Sequence, residues 1–149
     1  MSKIVEIQEL LETLIASTLP EYQMLSDAYD AGDNTNIRLE KGFSTGFGAA
    51  TNNNDNFCHG TTRVKRQIVV ALTNVYVADL DPQRRQDLEQ SLMNDHAALL
   101  AALECEPTLS GSCVNSNYVG DQGIEYLSND RKQFIVIFTN LEMDYIERV

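Results

Sequence analysis

Two short apolar runs constrain the fold of this chain more than any other feature of its sequence. They are Ile-Val-Val-Ala-Leu at 68–72 and Phe-Ile-Val-Ile-Phe at 134–138. Successive side chains of a strand point to opposite faces, so the first run predicts a central strand that is covered on both faces. The second run forms the centre of a long final strand. Because a helix needs about 20 apolar residues to cross a bilayer, neither run predicts a membrane span.

Apolar residues at helical spacing predict two helices. In the first, glutamates occupy the opposite side, which predicts an amphipathic helix from Lys3 to Thr18 with Ser2 as its N-cap. For the second, Asp81 and Pro82 are typical of a helix start, because Asp accepts hydrogen bonds from the free amides and Pro fits the first turn. A leucine-rich stripe carries this helix to about Glu104.

Alternating apolar residues predict two hairpins. The first has a strand over 37–47 that glycines bend, a flexible Asn-rich tip at 51–60, and a return strand over Thr61 to Asp79. The second has one bulged strand, or two short ones, over Cys113 to Leu127 and a final strand from Arg131 to about Tyr145. The basic start of the first return strand is expected to project into solvent.

The element order α-β-β-α-β-β predicts an α+β fold, with residues 1–149 in a single domain. Two hairpins, each preceded by a helix, imply a four-stranded antiparallel sheet with both helices packed on one face. The polar segment from Tyr22 to Asn36 is predicted to be a loop with at most one helical turn. A strand of about 19 residues outreaches the helices, so another copy of the chain is expected to cover part of the sheet.

Charge is the composition feature that limits function most. The chain has 22 acidic and 11 basic residues and a formal net charge of −11. This balance counts against a general nucleic-acid-binding protein, which needs clustered Lys and Arg to contact phosphates. The charge is also unevenly distributed: residues 1–36 and 67–149 are acidic, with net charges of −6 and −8, whereas residues 37–66 carry +3.

The first hairpin is therefore a basic segment in an acidic chain. Its basic residues are Arg38, Lys41, Arg63, Lys65 and Arg66. They are either a solvated strand face or an interface with other protein subunits. Placed against an acidic patch on a neighbouring copy, they would set the register of a head-to-tail ring.

The sequence offers no pattern that predicts catalysis, a metal or a cofactor. Cys58 and His59 are adjacent, so on an extended chain their side chains point to opposite sides and cannot easily act on one substrate. His96, Cys105 and Cys113 add ligand types but no zinc-binding spacing, and His96 is expected to be a partly buried helix residue. Phosphate-loop and serine-elbow motifs are missing. We therefore expect a protein that is not an enzyme.

Cysteine usage and the first residues bear on where the protein is made. Cys58, Cys105 and Cys113 are odd in number and irregularly spaced, which is typical of free thiols in a reducing compartment. The chain begins Met-Ser-Lys and continues into an acidic amphipathic helix, without a secretory pattern. These features predict synthesis in a cytoplasm.

The whole arrangement resembles one family of virion proteins. An amphipathic first helix, a long hairpin with a flexible tip, a Pro-initiated helix and a terminal hairpin ending in Phe-Ile-Val-Ile-Phe resemble the tail terminator, or tail completion, proteins of long-tailed bacteriophages. The resemblance implies a homohexameric ring at the head-proximal end of the tail in the virion. Such a ring ends polymerisation of the tail tube protein and offers a surface to the head connector or stopper protein. Genomic DNA would pass through its lumen without specific binding.

Other functions remain open at this stage. Another head–tail junction protein or a tail-tube-related protein has a similar size, although two helices argue against a tube protein, in which sheet dominates. A small regulatory, ligand-binding α+β domain is an alternative of a different class, because a helix-covered sheet suits it equally well. An enzyme that uses Cys58 or His59 is the weakest alternative.

Overall fold

Two helices and five strands make up the described parts of the chain. The computed structural model describes residues 2–26, 41–53, 60–76, 81–128 and 133–148. The elements in chain order are α1 (Lys3–Thr18), β1 (Gln23–Met24), β2 (Lys41–Asn53), β3 (Thr61–Tyr76), α2 (Pro82–Cys105), β4 (Asn115–Ser128) and β5 (Gln133–Arg148).

The strands form one mixed sheet in the order β1-β2-β3-β5-β4. All neighbouring pairs are antiparallel except β1 and β2, which are parallel. The predicted four-stranded antiparallel sheet, and with it the order α-β-β-α-β-β, is therefore wrong, although the α+β class is compatible with the structure. The missed strand, β1, pairs only Gln23 and Met24 with Gly42 and Phe43. Two exposed residues carry no alternation that a sequence pattern could reveal.

Both predicted helices are present with nearly the predicted bounds. The first spans Lys3–Thr18 as predicted, and the second ends one residue later than predicted, at Cys105. Asp81 caps α2 as expected, because its Oδ1 accepts a hydrogen bond of 2.8 Å from the backbone N–H of Arg84. Ser2 is the N-cap residue of α1 as predicted, but its side chain makes no capping hydrogen bond.

The main core lies between the two helices and one face of the sheet. The buried helix residues at its centre are Ile7, Leu11, Ile15, Leu92, Leu99 and Leu103. They pack in one cluster with alternate residues of the central strands, among them Ile68, Val70 and Leu72 of β3. Truncating one such buried Leu or Ile to Ala costs about 2–5 kcal/mol, so this cluster dominates the stability of the fold.

A second, smaller apolar cluster lies on the opposite face of the sheet. Its buried members are Ala71, Phe134 and Val136, which alternate along β3 and β5 with residues of the main core. The prediction that the run at 68–72 is covered on both faces is thus confirmed.

The edge strand β4 is continuous but bulged, which is one of the two predicted forms. Its pairing with β5 shifts register between Tyr118 and Gly120, and again between Asp121 and Ile124. Gly123 has a φ of +83°, a conformation that residues with a Cβ rarely adopt, so glycine is needed there. Extra residues at these shifts are left out of the ladder and bend the strand.

The central strands are much longer than the first helix. β3 and β5 have 16 residues each, which corresponds to about 53 Å. α1 also has 16 residues but spans only about 24 Å. The predicted tip at 51–60 and the loop from Tyr22 to Asn36 lie largely outside the described residues, as do the last residues predicted for the first return strand.

Candidate assembly surfaces

The five basic residues of the first hairpin do not form one cluster. Arg38 lies outside the described residues. Lys41 starts β2, opposite Asn74, whereas Arg66 lies opposite Ala50, nine residues further along the same strand. At about 3.3 Å per residue, this separates Lys41 from Arg66 by about 30 Å. Of the described ones, only Arg63, Lys65 and Arg66 lie at the far end of the sheet, and Arg66 is on the face that carries the helices whereas Arg63 and Lys65 are on the opposite face.

Lys41 belongs to a polar network that joins the sheet to α2. Its Nζ lies 3.2 Å from Glu21 Oε2 and 3.3 Å from Asp95 Oδ2. The hydroxyl of Tyr22 donates a hydrogen bond of 2.7 Å to the same Asp95 oxygen. Burial disfavours the charge of Lys41, but the hydrogen bond to Glu21 and the charge of Asp95 outweigh it and raise the pKa of Lys41. The positive charge of Lys41 is therefore paired with carboxylates of its own chain.

Tyr22 and Asn74 complete this network on the sheet side. Burial raises the pKa of Tyr22, and the hydrogen bond to Asp95 raises it further, so the hydroxyl stays protonated and serves as a donor. Asn74 is buried and its Nδ2 lies 3.5 Å from the Tyr22 hydroxyl. The network holds α2 against the start of β2.

Arg63 is also paired within its own chain. Its Nε and Nη2 donate hydrogen bonds of 2.9 and 2.6 Å to the two carboxylate oxygens of Asp144 on β5. The Asp144 side chain is only 8% exposed. The hydrogen bonds from Arg63 hold the pKa of Asp144 below its usual value, against the effect of burial. Planar, two-point pairing of this kind fixes the register of β3 on β5.

Lys65 and Arg66 are available for contacts beyond the chain. Arg66 donates from Nη1 to the Gly48 carbonyl at 3.2 Å and from Nε to the Tyr145 hydroxyl at 3.4 Å. Among the described residues, neither Lys65 nor Arg66 has a carboxylate within ion-pair distance. The start of β3 is half-buried rather than projecting freely into solvent, because β2 and β5 flank it on both sides.

Exposed apolar side chains at the sheet edges are a second feature, which the sequence patterns did not indicate. Among the described residues, the large apolar side chains that are exposed are Met24, Phe47, Met93, Val114, Tyr118, Val119, Tyr126 and Ile146. Val114, Tyr118, Val119 and Tyr126 lie on or just before the edge strand β4, and Met24 and Phe47 lie on β1 and β2 at the opposite edge. Sequence patterns show that these positions are apolar but not that their strands are at edges, so only the topology reveals them.

A groove runs between the C-terminal part of α2 and the start of β4. It has a volume of about 540 Å³, and its lining includes Leu100, Leu103, Pro107 and Tyr118. Glu104 and the polar residues of 115–117 form the rest of its wall. The groove is open to solvent on one side, with the exposed ring of Tyr118 at its border.

His96 lies behind this ring and is buried. Its imidazole packs edge-on against Tyr118, with ring centroids 5.8 Å apart. Burial lowers the pKa of His96, and the nearby carboxylate of Asp121 opposes this only in part. Within the described residues, Nε2 of His96 has no hydrogen-bond partner. The expectation of a partly buried helix residue is close to this outcome, with burial more complete than expected.

The described thiols and carboxylates do not assemble into a metal site. No group of three or more Cys, His, Asp or Glu side chains with metal-binding geometry is found among the residues that the structure describes. Cys105 is exposed, whereas burial raises the pKa of Cys113 to about 11, so the Cys113 thiol is unreactive at neutral pH. Cys58 and His59 lie outside the described residues.

None of the described helices combines the length and the apolar character that a membrane span requires. Comparison of the chain with models of known protein families gave no match, and a search of curated proteins gave none either.

Proposed function

We propose that the protein is the subunit of a ring that caps the tail tube of a long-tailed bacteriophage. The ring ends polymerisation of the tube and provides the attachment surface for the head connector. The observation that carries this proposal is the position of the exposed apolar side chains among the described residues, since six of the eight lie at the two opposite edges of one sheet.

Two different edges with exposed apolar side chains favour a head-to-tail arrangement of copies. If one edge of a subunit binds the other edge of the next, the contact is heterologous, and repeated contacts close into a ring when the rotation between subunits allows it. A single exposed apolar patch would favour a two-fold dimer instead. Exposed apolar side chains at an edge are also a hazard for an isolated chain, so a partner that covers them is expected.

The charges of the two sides are complementary. Residues 81–128, which include α2 and β4, carry eight carboxylates and two arginines. Residues 41–66, which include β2 and the start of β3, carry four basic residues and one acidic residue, and two of the four, Lys65 and Arg66, have no ion pair among the described residues. Opposite charges on the two sides speed the encounter of copies and select the head-to-tail orientation over the reverse.

The assignment to the tail terminator rests on the resemblance in element order and closing strand. A ring in that position surrounds the genome as it leaves the head, and an acidic surplus suits this place because a negative wall repels phosphates. No catalytic residue is needed for such a function, and we propose none.

Deleting the gene from the phage genome that encodes this chain tests the function. We expect headless particles with tails of uncontrolled length, because nothing stops the tube from growing. Supplying the protein from a plasmid should restore tails of uniform length and rings visible at the tube end by negative-stain electron microscopy. Uniform tails of normal length in the deletion strain would contradict the proposal.

A further inference from the structure

Phe47 is exposed at the outer edge of β2, where it has little cover from its own chain. Alternate residues of this strand face α1: Phe43 is buried, and Thr45 donates a hydrogen bond of 2.7 Å to Glu12 of the helix. Phe47 is the next residue on this face, and half of its surface is exposed.

The edge near Phe47 lacks a partner strand in the described part of the chain. β1 pairs only with Gly42 and Phe43, so the outer side of β2 from residue 44 onward has no described strand beside it. An exposed aromatic ring at such an edge is the type of residue that anchors protein interfaces.

The opposite edge of the sheet has a groove but is poorly suited to strand addition. Its bulges divide β4 into three short paired stretches, at 115–118, 120–121 and 124–128. A neighbouring strand could continue the hydrogen-bond ladder over only one of these stretches at a time. Contact at this edge must therefore rely on side chains, and the groove floored by Leu100 and Leu103 is the feature that can receive one.

We infer that Phe47 of one copy inserts into the groove between α2 and β4 of the next copy. This inference rests on the association of copies in the proposed function and names the contact that makes it. Phe47 lies opposite Ile68, so Arg66 is its diagonal neighbour on the same face of the sheet. When the ring fills the groove, Arg66 comes close to Glu104 on the groove wall, and the ion pair fixes the orientation of the two copies.

Cross-linking between two variants tests this contact directly. One protein keeps Phe47 and carries Ala49→Cys at an exposed position two residues away; the other, tagged to differ in mass, carries Asn117→Cys in the groove wall, and both carry Cys58→Ser and Cys105→Ser. With a bis-maleimide reagent, the mixture should give cross-linked heterodimers, and neither protein alone should give homodimers. Homodimers of the Ala49→Cys protein would indicate a two-fold contact and overturn the inference, as would a mixture that gives no heterodimer.

The association constant provides a second test. Truncation of an aromatic hot spot weakens binding by about 30-fold or more, so we expect this loss for Phe47→Ala in sedimentation velocity. Ile146→Ala removes a similarly exposed apolar side chain at the end of β5 and should leave association unchanged. Equal melting temperatures of the two variants exclude unfolding as the cause. Association of Phe47→Ala as tight as that of the wild type would overturn the inference.

The two proposals fail in different ways. Normal tail length in the deletion strain would refute the proposed function. Cross-linked heterodimers would still show that the contact between copies forms. Overlong tails in that strain, together with unchanged association of Phe47→Ala, would refute only the contact.

Discussion

Asp144 is a buried carboxylate whose charge depends on one neighbour, Arg63. Removing a charged group from water is costly, and the cost is offset here by the two hydrogen bonds from the guanidinium. Lys65 lies opposite Asp144 in the ladder and adds to the positive potential at the carboxylate. The pair therefore contributes to folding only while Asp144 is ionised.

The stability contribution of Asp144 should depend on pH with a defined sign. Its folded-state pKa is lowered below that of an unfolded Asp, about 3.9, so the contribution is present above that value and is lost as pH falls through the folded pKa. We expect Asp144→Asn to lower the free energy of unfolding at pH 7 and to lower it much less at pH 3, measured by urea denaturation. Asp87→Asn, at an exposed helix position, should change it by less than about 0.5 kcal/mol at both values. An equal loss for Asp144→Asn at pH 7 and pH 3 would contradict the role of the charge.

The basic residues of the hairpin were apparent from the sequence, but their partners were not. Arg63 and Asp144 are 81 residues apart, and Lys41 and Asp95 are 54 apart. Charge patterns along a chain identify partners only at short range, as in helix pairs three or four residues apart. Long-range pairs depend on strand register and sheet order, which the charge pattern of the sequence does not reveal.

At the scale of elements, the N-terminus of α2 depends on a single side chain. Asp81 satisfies one of the amides that a helix start leaves without a partner, and Pro82 follows at a position that needs no N–H. The first helix has no such side-chain bond, so the two helix starts offer a matched comparison.

We expect Asp81→Ala to destabilise the protein by about 1 kcal/mol, the usual cost of losing an N-cap. Ser2→Ala should change the free energy of unfolding by only a few tenths of a kcal/mol, because the Ser2 hydroxyl makes no capping bond. Urea denaturation at neutral pH measures both. A loss for Ser2→Ala as large as that for Asp81→Ala would contradict this account of the two caps.

The helices and long strands were predictable because each extends over 13 residues or more. The bulges of β4 were also predictable, because its glycines indicated them. The two-residue strand β1 was not, since its parallel pairing with Gly42 and Phe43 arises only after the chain has folded back on itself. This small addition matters for the surfaces, because it leaves most of the outer side of β2, with Phe47, at an edge. The groove beside β4 was equally hidden, since it needs the placement of α2 across the sheet.

At the scale of the whole molecule, the basic residues of the first hairpin have two roles, ion pairing inside the chain and contact between copies. Lys41 and Arg63 form ion pairs inside the chain. Lys65 and Arg66 are therefore the residues that can act between copies. Attraction between copies is thus expected to depend on fewer basic residues than the sequence suggested. Reversing Arg63 would chiefly test folding, since it would place a second carboxylate beside the buried Asp144.

Reversal of Arg66 tests assembly with less disturbance of the fold than reversal of Arg63, because Arg66 has no ion pair with a buried carboxylate. We expect Arg66→Glu to weaken self-association at about 50 mM salt, because it places a carboxylate opposite the acidic α2–β4 side of the next copy. The difference from wild type should shrink at about 500 mM salt, where screening confines electrostatic forces to within a few ångströms. Arg84→Glu, at an exposed site on the acidic side, makes that side more negative and should not weaken association. Sedimentation velocity at the two salt concentrations measures these effects, and a loss for Arg66→Glu that is the same at both would show that charge does not orient the copies.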